Sequence, residues 1–328
     1  MAWRQRNLIG AVAGVLLVAG AHSAGAAESN TWRHGLLDAK SDAGILLMVG
    51  QGFGQKEGLK LDLLEFHNDI IELQALVAGQ LDSYEGGPGA AIAAAARGAD
   101  VKIVGCHWPG LPHGIFVRDD INSIADLKGK TIAVSAPSSM PDLLARSVLA
   151  QNHIAIADVH LASLGNDGDR YKAMVAGIAQ AAVVSREYVP IAKKQGVKLL
   201  VAGQDAMPNY LRTCIFMTGK TIATRHDDAV RFAAAEMNAL HYALTHRDAA
   251  LTLTYKLAKI VATDPRPAYI YDWAVKDHAV DPTLPLPRDK LAWMENQLVK
   301  LGKLPKPVDI DQVIDPSVRE GALKLAGK

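Results

Sequence analysis

The sequence predicts an α/β protein built on mainly parallel sheets, and three observations carry that reading. From Ala75 to Cys106 the chain reads as a helix end, a short strand, a glycine-rich turn, an alanine-rich helix and a second strand. "GLKLDLLEF", from Gly58, alternates apolar and other residues with period two, which marks a half-buried strand. Further on, "KTIAV", "LASLG" and "AAVVS" are short apolar strands, each followed by a polar loop and a helical stretch. Strands separated by helices make βαβ units and hence parallel pairing. With 328 residues, 49% of them hydrophobic and 21% charged, the chain has material for one large or two medium cores.

The first 26 residues read as a targeting segment rather than as part of that fold. Arg4 and Arg6 form a basic start, Leu8 to Gly20 an apolar run, and Ala24-Gly25-Ala26 a small-residue cleavage signal. The run is too short and too rich in Gly and Ala to span a bilayer comfortably. No cysteine follows the cleavage signal directly, so the expected product is soluble, unlipidated and periplasmic. Losing residues 1–26 removes two arginines and no acids, taking the formal charge from +1 to −1. Such a balance gives no sign of nucleic-acid binding.

In chain order, "TWRHGLLDAKSDAG" opens as a strand and turns at Asp38 to Asp42 into a helix reaching about Gly54. Asp38, Lys40 and Ser41 fall at the carboxyl edge of the sheet, where open α/β folds bind ligands; Ser41 or Asp42 also suits a helix cap. Asp69, three residues before Glu72, is a cap for the next helix, which runs out at Gly79. Tyr84-Glu85-Gly86-Gly87 lies between a strand end and a helix opened by Pro88, so it is read as lining a cleft, with turn geometry as the plainer role of the glycines. Trp108, in a Pro/Gly-interrupted loop, offers a ring for stacking on a ligand or for plugging the core. Ser138 and Ser139 precede the helix "PDLLARSVLAQN" and form, with its free N–H groups, a corner for an anion. The polar loop Gly165 to Asp169 contributes Asn166, and Arg170 opens the next helix. A cation there opposes the helix dipole, so it is read as ligand-facing, with a solvated surface charge as the plainer role, and of little weight for folding. Ser185 and Glu187 end another strand at the same edge. The remainder is helical, over 228–245, 247–263 and two later segments, and pads the first unit.

The ordered pieces "ALVAGQLD", the Gly-rich turn, "AAARGADVKIV" and "INSIADLKGKTIAV" resemble the nitrate/sulfonate/taurine and thiamine-precursor class of ABC-transporter substrate-binding proteins, over roughly residues 58–203. The resemblance implies a type II periplasmic-binding-protein fold of two lobes joined by a two-stranded hinge. Residues 27–118 and 209–328 then form the first lobe and 119–208 the second, with 115–121 and "QDAMPNYLR" as the hinge. It also implies a small-molecule ligand, an ABC permease as partner, a monomer and no cofactor. The strands of Cys106 and Cys214 become neighbours, which permits a disulfide, although two separate buried thiols are the preferred reading. Within that class the preferred ligand is an organic anion, a sulfonate or carboxylate, between Arg170 and the serine corner. Glu85 and Glu187 instead suit a pyrimidine such as a thiamine precursor. Enzymes that resemble this class use a cysteine nucleophile or a cysteine-rich iron motif. This chain has no cysteine in its first strand-loop and no Cys/His cluster at metal-ligand spacing.

Overall fold

A computed structural model describes residues 31–66, 69–137 and 139–327. The targeting segment and Ser138 lie outside the described residues. Among the described residues ten strands form two five-stranded sheets. The strands are β1 (Thr31–Leu37), β2 (Lys60–Phe66), β3 (Ser83–Gly86), β4 (Lys102–Pro109), β5 (His113–Arg118), β6 (Thr131–Val134), β7 (His160–Ser163), β8 (Ala181–Ser185), β9 (Val197–Ala202) and β10 (Leu211–Met217). The sheet orders are β2-β1-β3-β10-β4 and β7-β6-β8-β5-β9. Among the pairings, β1 runs parallel to β2 and β3, and β6 parallel to β7 and β8. One strand in each sheet is antiparallel to both neighbours, β10 in the first and β5 in the second.

Those two strands are where the chain changes lobe. After β4 the chain enters the second sheet as β5, and after β9 it returns to the first as β10. The crossing after β4 therefore falls at 110–112, ahead of the boundary expected at 118, and residues 115–121 are the body of β5 and its exit turn. The rise in polarity after Arg118 marks the end of a buried central strand and not a change of lobe. The return passes through the short helix Gly203–Ala206, and Pro109 is paired with Leu211, so the two crossings run side by side.

Helices of eight residues or more are numbered α1 (Asp69–Val77), α2 (Pro88–Ala95), α3 (Met140–Gln151), α4 (Asp167–Val175), α5 (His226–Thr245), α6 (Arg247–Leu257), α7 (Arg266–Lys276), α8 (Arg288–Lys300) and α9 (Ser317–Leu325). The single helix expected up to Gly54 is instead three short turns, Ala43–Leu46, Met48–Gly50 and Phe53–Lys56. Gly52 between them has φ +85°, a left-handed conformation that stops a helix and that glycine adopts without strain. α6 stops at Leu257, short of the expected 263.

Each sheet is buried on both faces. Trp32, Trp108 and Ile215 of the first sheet pack against Phe232, Leu240 and Trp273 of the C-terminal helices. Its other face joins Tyr84, Phe216 and both cysteines to Leu76, Ile92 and Leu291. The second sheet packs Ile132 and Val183 against Leu144 and Val148 of α3, and Ala182 and Val184 against Tyr171 and Met174 of α4. The thiols are not separate: Cys106 and Cys214 face each other across β4 and β10 and form a disulfide, with Cα atoms 3.8 Å apart. The Cys106 N–H points away from β10 to the Pro285 carbonyl, 2.8 Å off. The pair thus occupies a non-hydrogen-bonded position, where antiparallel strands come closest.

Candidate functional site

The strand ends of both sheets face one cleft of about 370 Å³, within the range of small-molecule sites. One wall comes from the loop after β1, from Asp69, from the β3–α2 turn and from Arg212 and Thr213 on β10. The other is built from His113 on β5, Ser135 after β6, the opening of α3 and the loop that opens α4.

Six residues expected from the sequence line this cleft: Asp38, Lys40, Glu85, Gly87, Asn166 and Arg170. The others have different surroundings. Tyr84 is wholly buried and stacks on Phe216, ring centroids 4.6 Å apart. Trp108 is wholly buried too, with the Arg212 guanidinium 4.2 Å over its ring, so it is a core plug beneath the cleft floor. Ser139 caps α3 by accepting from the Asp142 N–H, and its hydroxyl donates to the Ala136 carbonyl at 2.6 Å. Ser185 caps the short turn Arg186–Tyr188. Ser41 and Glu187 meet each other where the lobes touch, the hydroxyl hydrogen-bonded to the carboxyl and Arg266 3.8 Å from it.

The Gly86-Gly87 turn has a specific cause. A Cβ on Gly86 would stand 2.8 Å from Asp69 Oδ1, and one on Gly87 3.2 Å from Oδ2. The glycines therefore admit a carboxylate against the backbone, where the Gly87 N–H donates to it. Oδ1 of Asp69 has no hydrogen-bond partner among the described residues. Burial raises the Asp69 pKa, and the Gly87 N–H and Lys40 oppose the rise.

Arg170 differs from expectation in role. Its Nε donates to the Val183 carbonyl at 2.7 Å, one terminal nitrogen to the Gly165 carbonyl at 2.5 Å and the other to Asp167. It is only 3% exposed. The guanidinium ties the α4 loop to β8 and is largely satisfied before any ligand arrives. Asp167 also lies 3.3 Å from His113 Nε2. Burial alone would raise the Asp167 carboxyl, but His113 and Arg170 hold it well below the usual range. On the first wall Arg212 is ion-paired to Asp42. Lys40, which is exposed, makes no ion pair among the described residues.

Asp69, His113 and Arg212 were not among the expected contacts, and Asp167 fell within the expected Gly165 to Asp169 loop without being singled out. Asp69 read as a helix cap, and the loop contact that turns it toward the cleft is long-range. His113 and Arg212 stand beside the two crossings, whose position no local pattern marks.

Solved structures confirm the architecture as that of a two-lobed periplasmic binding protein. The aliphatic sulphonate binding protein SsuA of Escherichia coli superposes with TM-score 0.70 at 23% identity, covering 88% of this chain and 92% of that one. The desulfurization enzyme DSZB shares the fold at TM-score 0.65 and 19% identity, over 90% and 99% of the two chains. An aliphatic sulfonates-binding protein of Bacillus subtilis is 29% identical over 267 residues, 76% of this chain and 77% of its own length. The model of the NMT1/THI5 like family matches residues 41–250, and the chain belongs to that family.

Proposed function

We propose that the mature chain is a periplasmic receptor that closes its lobes on a small organic acid bearing an amino group, and presents it to an ABC importer. The observation that carries the ligand class is the distribution of charge in the cleft. Two of its cations, Arg170 and Arg212, are already paired with Asp167 and Asp42. Lys40 is left to meet a sulfonate or carboxylate, while the bare Asp69 Oδ1 beside Glu85 calls for a donor such as an amine. An aminopyrimidine would use the Asp69 side alone. Family membership and the N-terminal export signal support the receptor role. A cysteine-nucleophile enzyme on this fold is disfavoured, because both cysteines of the chain are joined in the disulfide.

The test is calorimetric titration with aliphatic sulfonates, aminosulfonates, amino acids and aminopyrimidines. Lys40→Ala should weaken the best acidic ligand by about one to two decades, or roughly 1.5–3 kcal/mol. Asp69→Asn should weaken only the amino-bearing compounds. Undiminished affinity in Lys40→Ala would overturn the acid assignment, and chemical conversion of the bound compound would overturn the receptor reading.

A further inference from the structure

We infer that Glu85, His107 and Glu236 form a binding site for one divalent transition-metal ion of the zinc class, enclosed in the first lobe directly behind the ligand cleft. One ligand atom from each of the three lies within 4.8 Å of the other two. They arrive from three elements, β3, β4 and α5, and all are buried, at 4%, 0% and 1% exposure. His107 Nε2 stands 3.0 Å from Glu85 Oε2. Without an ion this contact is a hydrogen bond; an ion would replace its proton, with the imidazole N–H on the unpartnered Nδ1, and the two donors would separate to the ~3.4 Å expected of donors about 2.1 Å from a tetrahedral zinc.

A second observation points the same way. Glu236 Oε2 is buried and has no hydrogen-bond partner among the described residues. Buried polar atoms are rarely left so, and a carboxylate oxygen without a donor calls for a cation. Two carboxylates, a neutral imidazole and a divalent ion sum to zero charge, which is what a dry interior accepts. One nitrogen and two oxygen donors suit zinc, which takes three protein ligands and keeps a fourth position open. The surroundings are firm. His34 Nδ1 is 2.7 Å from Ser83 Oγ, which also accepts from Trp32 Nε1 at 2.8 Å, and the His34 ring lies against Phe232 at 4.7 Å. Glu85 borders the cleft as well as the cluster, so the cleft is the entry path. The three ligands are far apart in sequence, and no spacing motif announces them.

The experiment uses untagged, chelator-treated full-length mature protein without organic ligand, so its outcome does not depend on the proposed cleft ligand. Zinc titrated calorimetrically should bind at one equivalent, and cobalt(II) at the same site should give a visible ligand-field band. Glu236→Gln, which keeps shape and removes the charge, should weaken zinc by on the order of 100-fold or more. Absence of stoichiometric uptake by the wild type would overturn the site, as would unchanged uptake by Glu236→Gln. Should that variant fail to fold, X-ray absorption at the zinc edge of the wild type decides. One imidazole nitrogen with oxygen donors supports the site, and two or more imidazoles place the ion elsewhere and end the proposal.

Discussion

The two sheets share one plan, three parallel strands, a strand donated by the crossing chain and an outer strand, yet their cleft walls treat charge differently. In the second lobe the charges settle among themselves: Arg170, Asp167 and His113 form one chain of contacts, and Arg170 spends its remaining donors on backbone carbonyls. The first lobe leaves Lys40 without an ion pair and an Asp69 oxygen without a donor among the described residues. It also carries the disulfide, the C-terminal helices and the buried Glu85–His107–Glu236 cluster. Equal topology thus does not mean equal work. The second wall is preset by the Arg170–Asp167–His113 contacts, with His113 Nδ1 left without a hydrogen-bond partner among the described residues. The first holds Lys40 and Asp69 Oδ1, the groups that a ligand meets in the proposed reading.

The comparison is broken most forcefully at the disulfide. It closes a sequence separation of 108 residues, and in the chain-entropy account a loop of that size contributes about 4–5 kcal/mol. The double variant Cys106→Ala, Cys214→Ala should lose stability of that order in urea unfolding. Because the link joins β4 to β10, hydrogen exchange should rise in the first sheet and much less in the second. Equal loosening of both sheets would show that the lobes unfold together and would weaken the contrast.

Arg170→Ala comes next. Reading the sequence alone makes this a change harmless to folding, since a cation at a helix amino terminus opposes the dipole. The structure reverses that expectation. The substitution removes one of the two partners of the part-buried Asp167, leaving it His113, and takes the guanidinium donors from the Gly165 and Val183 carbonyls, so a loss of about 3 kcal/mol is expected. Thermal unfolding checks it, and a melting temperature equal to the parent's would show that the second wall is not preset by this residue.

Arg170 also shows what could be read in the sequence and what could not. Features that depend on near neighbours were legible: period-two alternation in β2, Pro88 at the start of α2, the helical C-terminus. So was the placement of Asp38, Lys40, Glu85, Gly87, Asn166 and Arg170 on the cleft, because strand ends of a parallel sheet share one edge. Orientation was not legible. Trp108 lies in the right loop but faces the core under Arg212. The Gly86-Gly87 turn is glycine because of a carboxylate far upstream in the chain, and no local rule contains that contact. The disulfide followed from strand register, which depends on where the chain crosses between lobes.

The smallest effect is expected where the two lobes meet, at Glu187. Burial first, then the carboxylates of Asp42 and Asp167, lift its pKa from the ordinary 4.5 to about 7, against the opposing pull of Ser41 and Arg266. Between those values the folded protein keeps the proton and the unfolded chain has released it. The folded state therefore binds more protons, and stability falls as pH rises through the window, levelling off above about pH 7. One proton of difference between the two states changes stability by about 1.4 kcal/mol for each step of one in pH, so the loss between about pH 5.5 and about pH 7.5 is roughly 2 kcal/mol. Glu72, whose pKa is raised to about 9 chiefly by burial, adds a slope of the same sign from within the first lobe. The measurement is consequently a difference, urea unfolding of the wild type against Glu187→Gln across that range. Glutamine keeps the hydrogen bond to Ser41 and cannot ionise, so the variant's advantage over the parent should grow by roughly 2 kcal/mol from the acid end of that range to the alkaline end. A gap between the two proteins that does not change with pH would mean that Glu187 is already ionised in the folded protein and held by Arg266. The junction of the lobes would then be one more internally neutralised pair, like those of the second wall.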